Sequence, residues 1–432
     1  MKYKLMAVAV AGALAAPGLA LAQAANVQIY GVIDMRWDSM KYTANTAATN
    51  AESTKNHVHG TANRWGLRGR ENLGGGMTAF FQVESGMTVD GRTTTGIDTA
   101  GVNLLGGRDA YLGLSSTAWG AVQAGGFSTP YNVTTQVWSV IPTFGHGGII
   151  MGNGNTTGSL PSPNCTGIVT PAGNLTAAAA AGTTCGTQVE GNATSFNRRQ
   201  SDQIQYTTPA FAGFVFRVST AMPEYEVNSN AATSPGHKAT IGSYSLTWSG
   251  GPFSAVGGFE QHKGFRAVAS TTLPQDAKDT GVTLGGRWNY GAGLLGAAIE
   301  RLKYGNVAVA GAENNFTLNN WVINGTFNVG PSGTVSAGYS KTAGAKSCGA
   351  GLTAAANTCG DPTKASNFSL AYDHRLSKRT AVYAVAGRIN NGAGSAYYYI
   401  AGPASNNNGG DTGGVAAGTD ITTYAVGVKH TF

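Results

Sequence analysis

Arginines recur at alternate positions near residue 64, where their spacing gives them one common direction. Arg64, Arg68 and Arg70 share one parity of the segment, whereas Trp65 and Leu67 occupy the other. In a β-strand, residues of one parity point to one face, so this segment presents three guanidinium groups on one side. A guanidinium stays charged at physiological pH and offers planar hydrogen-bond donors to carboxylates, phosphates and sulfates. This pattern indicates the attraction of anions.

The histidines give no sign of catalysis or metal binding. The seven histidines are scattered through loops and strand ends, without the nucleophile, base and carboxylate that a hydrolase requires. His57 and His59 stand two residues apart, but the sequence places them in a polar first loop without further ligands. We therefore predict no metal site, no cofactor and no enzymatic activity.

The four cysteines fall into two local pairs, Cys165 with Cys185 and Cys348 with Cys359. Neither pair is accompanied by a cluster of histidines or carboxylates, which argues against a metal site. Four cysteines allow three connectivities. In an exported chain we expect disulfides, and we predict the nearest-neighbour pairing because each pair is flanked by its own loop.

The first residues are typical of a secretory signal peptide. Lys2 and Lys4 supply the positive charge, and residues 6–14 form an apolar core. Small residues then allow cleavage after Ala22 or after Ala24, of which we favour Ala24. Residues 1–24 are therefore predicted to be removed, leaving residues 25–432 as one domain.

Composition separates this chain from ordinary soluble proteins. Charged residues make up 11% of it and glycines 64 of 432 residues, against about 25% charge and about 7% glycine in typical domains. The mature chain contains no run of about 18 apolar residues, which excludes membrane-spanning helices. Removing Lys2 and Lys4 from the 28 basic residues leaves 26 against 21 acidic ones, a net charge of +5. No basic run or stacking motif indicates a nucleic-acid partner.

Strands with one apolar face account for most of the chain. In residues 421–432, Tyr424, Val426, Val428 and Phe432 share one parity, and the chain ends on an aromatic. Strands that close a barrel in a bilayer carry lipid-facing residues up to the interface, where aromatics concentrate. This terminal segment therefore favours a membrane barrel over a soluble sheet.

Short turns alternate with long connections along the whole chain. The short turns lie at residues 73–76, 116–120, 209–213, 249–252, 289–293, 329–333 and 376–379. The long connections lie at about 39–61, 88–106, 128–198, 222–236, 263–277, 306–315, 343–364 and 391–418. Seven hairpins plus the first and last segments make sixteen strands. We predict an all-β fold, a 16-stranded antiparallel transmembrane β-barrel with short periplasmic turns, long extracellular loops and an aqueous lumen.

A barrel fixes the direction of the arginines. An arginine that faced lipid at mid-membrane would cost roughly 2–4 kcal/mol. The arginines that share the polar parity of their strands are therefore predicted to face the lumen or its mouth, namely Arg36, Arg64, Arg68, Arg70, Arg217, Arg287 and Arg375.

Six segments resemble the general porins of β-proteobacteria, and together they run from one end of the mature chain to the other. They are residues 26–34, 64–76, 108–114, 205–209, 372–380 and 427–432. The resemblance implies a homotrimeric, 16-stranded pore for passive diffusion, often with a preference for anions. It also implies a third loop, here about 128–198, that folds into the barrel as a constriction. The implied surroundings are outer-membrane lipid and lipopolysaccharide, and the implied cargo is anions and small solutes.

The same resemblance places Arg64, Arg108 and Arg199 at the constriction of an anion-selective relative, with Arg198 able to replace Arg199. Between residues 127 and 199 the chain contains one carboxylate, Glu190, where a cation-selective pore would place several. The chain departs from the family at residues 125–127, which read Gly-Gly-Phe instead of Gly-Arg, and in a low-complexity insert at 158–187.

Alternatively, the arginines predicted at the constriction form ion pairs with carboxylates of the lumen. Asp34, Glu84 and Asp373 are available for such pairs.

The predicted function is a passive, anion-selective channel for small hydrophilic solutes and ions across the bacterial outer membrane. Two alternatives stay open: a substrate-specific pore for organic anions and, less favoured, a barrel-anchored surface or adhesion protein.

Overall fold

The computed structural model describes most of the predicted barrel. The described residues are 26–44, 53–60, 63–87, 89, 105–136, 140–141, 196, 199–221, 240–263, 278–309, 312–348, 359–395, 397, 399 and 418–432. The predicted signal peptide, the low-complexity insert, Arg198 and the pair Cys165 and Cys185 lie outside these residues.

The elements follow one another along the chain almost entirely as strands. The first six strands are β1 (Asn26–Ala44), β2 (Ser53–Gly60), β3 (Arg64–Gly74), β4 (Met77–Gly86), β5 (Ala110–Ser116) and β6 (Gly120–Ser128), followed by the helix α1 (Pro130–Gln136). The next six are β7 (Arg199–Thr207), β8 (Phe214–Ala221), β9 (Thr240–Gly250), β10 (Phe253–Lys263), β11 (Lys278–Asn289) and β12 (Gly293–Val309). The last five are β13 (Ala312–Val329), β14 (Gly333–Thr342), β15 (Ala365–Arg375), β16 (Thr380–Asn391) and β17 (Thr419–Thr431).

The sheet closes between its first and last strands. Antiparallel pairing joins β1 to β17 from Val32 opposite Thr431 to Ala44 opposite Thr419. On its other edge, β1 pairs first with β3 and further along with β2. Because β2 and β3 share one place in the barrel, the seventeen described strands make sixteen positions. The predicted antiparallel 16-stranded barrel is confirmed.

All seven predicted short turns are confirmed as hairpins, and they lie at one rim, called here the short-turn rim. Two predicted long loops are wrong. The connection at 39–61 is narrower, because β1 continues to Ala44 and β2 begins at Ser53. The connection at 306–315 shrinks to residues 310–311, between Val309 of β12 and Ala312 of β13. The strands extend beyond the segments with apolar alternation, because strand pairing requires backbone hydrogen bonds and does not require lipid-facing side chains.

Side chains alternate between an apolar outer face and a polar inner face. On β12, Leu295 and Ile299 point outward and are about half exposed or more, whereas Glu300 is buried toward the interior. On β14, Ser336 and Ser340 are buried on the inner face. An apolar exterior around a polar interior is the arrangement of a barrel in lipid.

The chain after β6 turns into the barrel. Helix α1 lies against β9 and β10, and Ile141 packs on Tyr383, Val385 and Ala425 of β16 and β17. These contacts lie on different parts of the inner wall, so the described residues of the third loop lie inside the barrel, as predicted. No helix in the described part of the chain is long and apolar enough to cross a membrane.

Candidate functional site

Glu84 is the centre of a charged cluster on the inner wall. It lies on β4 opposite Gly66 of β3, and its residue surface is 6% exposed. Arg108 approaches from the segment before β5, with its Nε 2.6 Å from Glu84 Oε1. Arg64 Nε lies 3.4 Å from the other carboxylate oxygen, and the Tyr30 hydroxyl donates to that oxygen at 3.0 Å. One carboxylate therefore holds two guanidinium groups.

Backbone hydrogen bonds fix the position of Arg108. The Arg108 N–H donates to the Glu84 carbonyl at 3.0 Å, and the Glu84 N–H donates to the Asp109 carbonyl at 3.0 Å. These two bonds continue the ladder between β4 and β5 beyond the last paired residues of the strands. Arg108 is consequently held on the wall as firmly as a strand residue.

Arg199 joins the cluster from the far end of the third loop. It begins β7 opposite Ser128, the last residue of β6, and its Nε lies 2.6 Å from Asp109 Oδ1. Since Asp109 follows Arg108 directly, the three arginines meet in one region. Their side chains keep 31%, 21% and 38% exposure for Arg64, Arg108 and Arg199, so their donors reach the lumen.

The charge of this cluster is positive. The arginines Arg64, Arg108 and Arg199 face the carboxylates Glu84 and Asp109, which leaves one positive charge in surplus within the described cluster. Arg64 and Arg108 therefore pair with Glu84, which was the alternative prediction, and they also lie close to Arg199, as the resemblance implied. A net positive cluster of guanidinium donors on the wall of the lumen can lower the energy of a passing anion.

Arg68 and Arg70 extend the positive face toward the short-turn rim. Both side chains are exposed and share the parity of Arg64 on β3. Arg68 donates from Nε to Gln28 Oε1 at 2.9 Å and lies over the Tyr30 ring, 4.9 Å from its centroid. These contacts fix the direction of its guanidinium.

Arg36 lies on the inner face of β1, but it is not available as a charge of the lumen. Its side chain has no exposed surface, and its Nε lies 2.7 Å from Asp38 Oδ2. The parity of Arg36 along β1 correctly predicts that its side chain points to the inner face. It cannot predict the buried pair with Asp38, because the direction of a side chain does not reveal its partner.

The third loop is seated on the wall by a hydrogen-bond network around Tyr131 of α1. The Tyr131 hydroxyl donates to Glu300 Oε1 at 2.6 Å, and Asn320 Nδ2 donates to the other oxygen of Glu300 at 2.8 Å. The Tyr131 N–H donates to the Ser243 hydroxyl at 2.9 Å. Burial, and after it the charge of Glu300, raises the pKa of Tyr131 well above its usual value. The phenol therefore remains a donor.

The returning end of the third loop packs beside this network. Phe196 is fully buried against Tyr131, Leu302 and Leu318, and its ring stacks on His262 at 4.5 Å. The sequence did not identify Tyr131 and Phe196 as residues that anchor the loop, because a single aromatic residue in a long loop belongs to no recognisable pattern. It also missed Asp109, although the position of this residue beside Arg108 is a readable signal.

The histidine pair lies in a different setting from the predicted one. His57 and His59 belong to β2, not to a loop, and Asp38 of β1 lies directly opposite His57. The expectation that this pair lacks further ligands is therefore wrong. The signal was available in principle, since a His-x-His repeat places both rings on one face of a strand.

The predicted disulfide between Cys348 and Cys359 is present, with the two Cα atoms 6.3 Å apart. It bridges the connection between β14 and β15 at the rim opposite the short turns. Close to it, Ala345 and Gly360 form an isolated bridge that joins the same two stretches of chain. The pairing predicted for Cys165 and Cys185 stays a prediction.

Comparison with known proteins agrees with this architecture. The chain is 28% identical to outer membrane porin protein 32 of Delftia acidovorans over the full length of both. It is 26% identical to an outer membrane porin protein of Bordetella pertussis, over 90% of this chain and 95% of that protein.

Solved porins share the fold. An anion-selective porin from Comamonas acidovorans superposes with a TM-score of 0.62 at 22% identity, covering 94% of this chain and all of that one. OmpT of Vibrio cholerae gives a TM-score of 0.57 at 12% identity, covering 95% and 98% of the two chains. A family model described as Gram-negative porin matches residues 7–394. The chain therefore belongs to the Gram-negative porin family, whose barrels form passive channels in the outer membrane.

Proposed function

We propose that this porin is an anion-selective general diffusion channel whose filter is formed by Arg64, Arg108 and Arg199. The observation that carries the proposal is the surplus of one positive charge where these arginines meet Glu84 and Asp109. The Comamonas acidovorans porin, which has the same fold, is described as anion-selective, and this supports a preference for anions here.

The size of the expected preference follows from the surplus charge. One unit charge at about 4 Å changes the energy of a monovalent ion by about 1 kcal/mol at the dielectric constant of water. An anion gains this energy and a cation loses it, and about 1.4 kcal/mol corresponds to a factor of ten. The difference of about 2 kcal/mol between the two ions corresponds to a preference of about 30-fold. We expect at least this preference, because the lumen wall screens less than bulk water.

We also propose the surroundings in which the channel works. The outer face carries exposed apolar side chains such as Leu284, Ile299 and Ile323, which suits contact with lipid and, at the outer rim, with lipopolysaccharide. A homotrimer is supported by a trimeric form of Vibrio cholerae OmpT among the similar structures. Removal of residues 1–24 on export, and transport without enzymatic activity, complete the proposal.

Solute entry into proteoliposomes tests the function. Vesicles that contain the purified porin are diluted into isotonic solutions of small carboxylates, neutral sugars or amines of matched size, and swelling rates are compared. We expect carboxylates to enter at least tenfold faster than amines. The triple variant Arg64→Gln, Arg108→Gln, Arg199→Gln leaves the two negative charges of Glu84 and Asp109, so in this variant we expect amines to enter faster than carboxylates. Equal rates in the unmodified protein would overturn the proposal. The matched control is Arg388→Gln, since Arg388 lies on the outward parity of β16 with its side chain 57% exposed.

A further inference from the structure

Asp38, His57 and His59 form a buried cluster on the inner wall where β1 pairs with β2. Asp38 lies opposite His57, and Arg36 lies opposite His59. All three members of the cluster are buried, and their ligand-type atoms lie within 4.8 Å of one another. Neither the charged constriction nor the seat of the third loop uses these residues.

The distances in this cluster suit a small metal ion. His59 Nε2 lies 2.5 Å from Asp38 Oδ2, and His57 Nε2 lies 4.0 Å from the same oxygen. Ligand atoms bonded at about 2.0–2.1 Å around a tetrahedral ion lie about 3.3 Å apart, which falls between these two values. Shifts of about 1 Å in the side chains would therefore create the coordination geometry.

The backbone already aligns the two imidazoles. Alternate residues of a strand point to one face, and the rings of His57 and His59 stack with centroids 4.2 Å apart and planes inclined by 17°. Their backbone positions are set by the ladder between β1 and β2 rather than by a free loop. Little ordering of the chain is consequently needed before an ion binds.

The chemistry of the ligands selects the class of metal. Two imidazoles and one carboxylate are the ligands of Zn²⁺ and related transition metals, whereas Ca²⁺ and Mg²⁺ prefer sets of oxygen atoms. Three protein ligands leave a fourth position for water, as in open zinc sites.

Arg36 acts on this cluster in two opposing ways. Its Nε, 2.7 Å from Asp38 Oδ2, holds the carboxylate in one orientation, which is the usual role of a residue outside the ligand set. Its positive charge also repels a cation. We expect the site to bind more weakly than a site with four protein ligands and no adjacent arginine.

We propose that Asp38, His57 and His59 bind one divalent transition-metal ion of the Zn²⁺ class, which joins β2 to β1. Along β1, Asp38 lies six residues beyond Val32, the partner of Arg64, and thus about 20 Å toward the rim opposite the short turns. A bound ion would add positive charge to the wall above the constriction and fix the hairpin that begins the first loop.

Metal titration of the full-length mature porin tests the proposal. The protein, purified in detergent without a histidine tag and stripped with a chelator, is titrated with Zn²⁺ by calorimetry, and Co²⁺ absorption reports the ligand geometry. We expect one Zn²⁺ per chain and a tetrahedral Co²⁺ spectrum. In His57→Gln and His59→Gln we expect binding at least tenfold weaker.

The matched control is the double variant His374→Gln, His430→Gln, which changes two histidines near the short-turn rim and should retain one Zn²⁺ per chain. Folding of every variant is checked by the heat-dependent mobility of the barrel in gel electrophoresis. Absence of Zn²⁺ binding by the folded, unmodified porin would overturn the proposal whatever the variants do. Unchanged affinity in folded His57→Gln and His59→Gln would overturn it as well.

Discussion

The Arg108 guanidinium lies against the Glu84 carboxylate, with Nε 2.6 Å from Oε1. The backbones of the same two residues are also hydrogen bonded, from the Arg108 N–H to the Glu84 carbonyl at 3.0 Å. The proposed filter is therefore not a set of isolated arginines. Its charge is a difference between guanidinium groups and carboxylates, so removing either kind of group should move the ion preference in opposite directions.

Replacing Glu84 by glutamine should strengthen the preference for anions. The amide keeps an oxygen that accepts from Arg108, while the surplus of the cluster rises from one positive charge to two. We expect the chloride-to-potassium permeability ratio to increase about 30-fold, since one unit charge at about 4 Å in water favours the anion by about 1 kcal/mol and disfavours the cation by as much. The permeability ratio is measured in planar bilayers for Glu84→Gln and for the control Glu71→Gln, which alters an exposed carboxylate of β3. A ratio that falls in Glu84→Gln would contradict the charge count.

Replacing Arg108 by alanine should weaken the preference for anions. The change removes one of three guanidinium groups and leaves Glu84 and Asp109 to balance Arg64 and Arg199, so the surplus disappears. We expect the permeability ratio to approach that of free diffusion, and Arg108→Lys to retain most of the selectivity because the charge remains. Arg388→Ala serves as control, and an equal effect of that outward change would show that the lumen charge is not responsible.

The network around Tyr131 should stabilise the third loop inside the barrel. Tyr131→Phe removes a donor to the buried Glu300, and an unsatisfied buried acceptor costs about 1–3 kcal/mol. We expect a lower unfolding temperature in circular dichroism and more frequent voltage-induced closures. Tyr372→Phe, which removes an exposed hydroxyl beside His374, should leave both unchanged. Unaltered closure in Tyr131→Phe would show that the loop is seated by apolar packing alone.

Most of the fold could be predicted from the sequence because two solvents act on each strand. Lipid on one face and water on the other impose a period of two, which is visible at residues 421–432 and in the parity of Arg64 and Arg68. The turns are readable as well, since hairpins require glycine or other turn residues. The pairing of Val309 with Ala312 was not readable, because outside the lipid no face needs to stay apolar.

The candidate site could be predicted only in part. Parity and family resemblance indicated the arginines, but parity cannot give the partner of a side chain. The contact between Arg36 and Asp38 depends on rotamers, and that between Asp38 and His57 depends on strand register. Register is set by the whole closed sheet, so neither contact has a local signature.

The disulfide between Cys348 and Cys359 should stabilise the loop that it closes. Closing a loop of 11 residues corresponds to about 3 kcal/mol in the chain-entropy model. We expect reduction, or the double change to serine, to make this loop more susceptible to limited proteolysis while the barrel strands stay protected. Equal cleavage rates before and after reduction would show that the bridge between Ala345 and Gly360 suffices.

The zero-current potential of the purified porin in a planar bilayer under a KCl gradient tests the central claim most directly. A pore with a surplus of positive charge at Arg64, Arg108 and Arg199 should give a potential of the sign set by chloride. In the triple glutamine variant, which leaves the two negative charges of Glu84 and Asp109, the sign of the potential should reverse. A potential of the sign set by potassium in the unmodified porin would contradict the arginine filter and assign the selectivity to the carboxylates of the lumen.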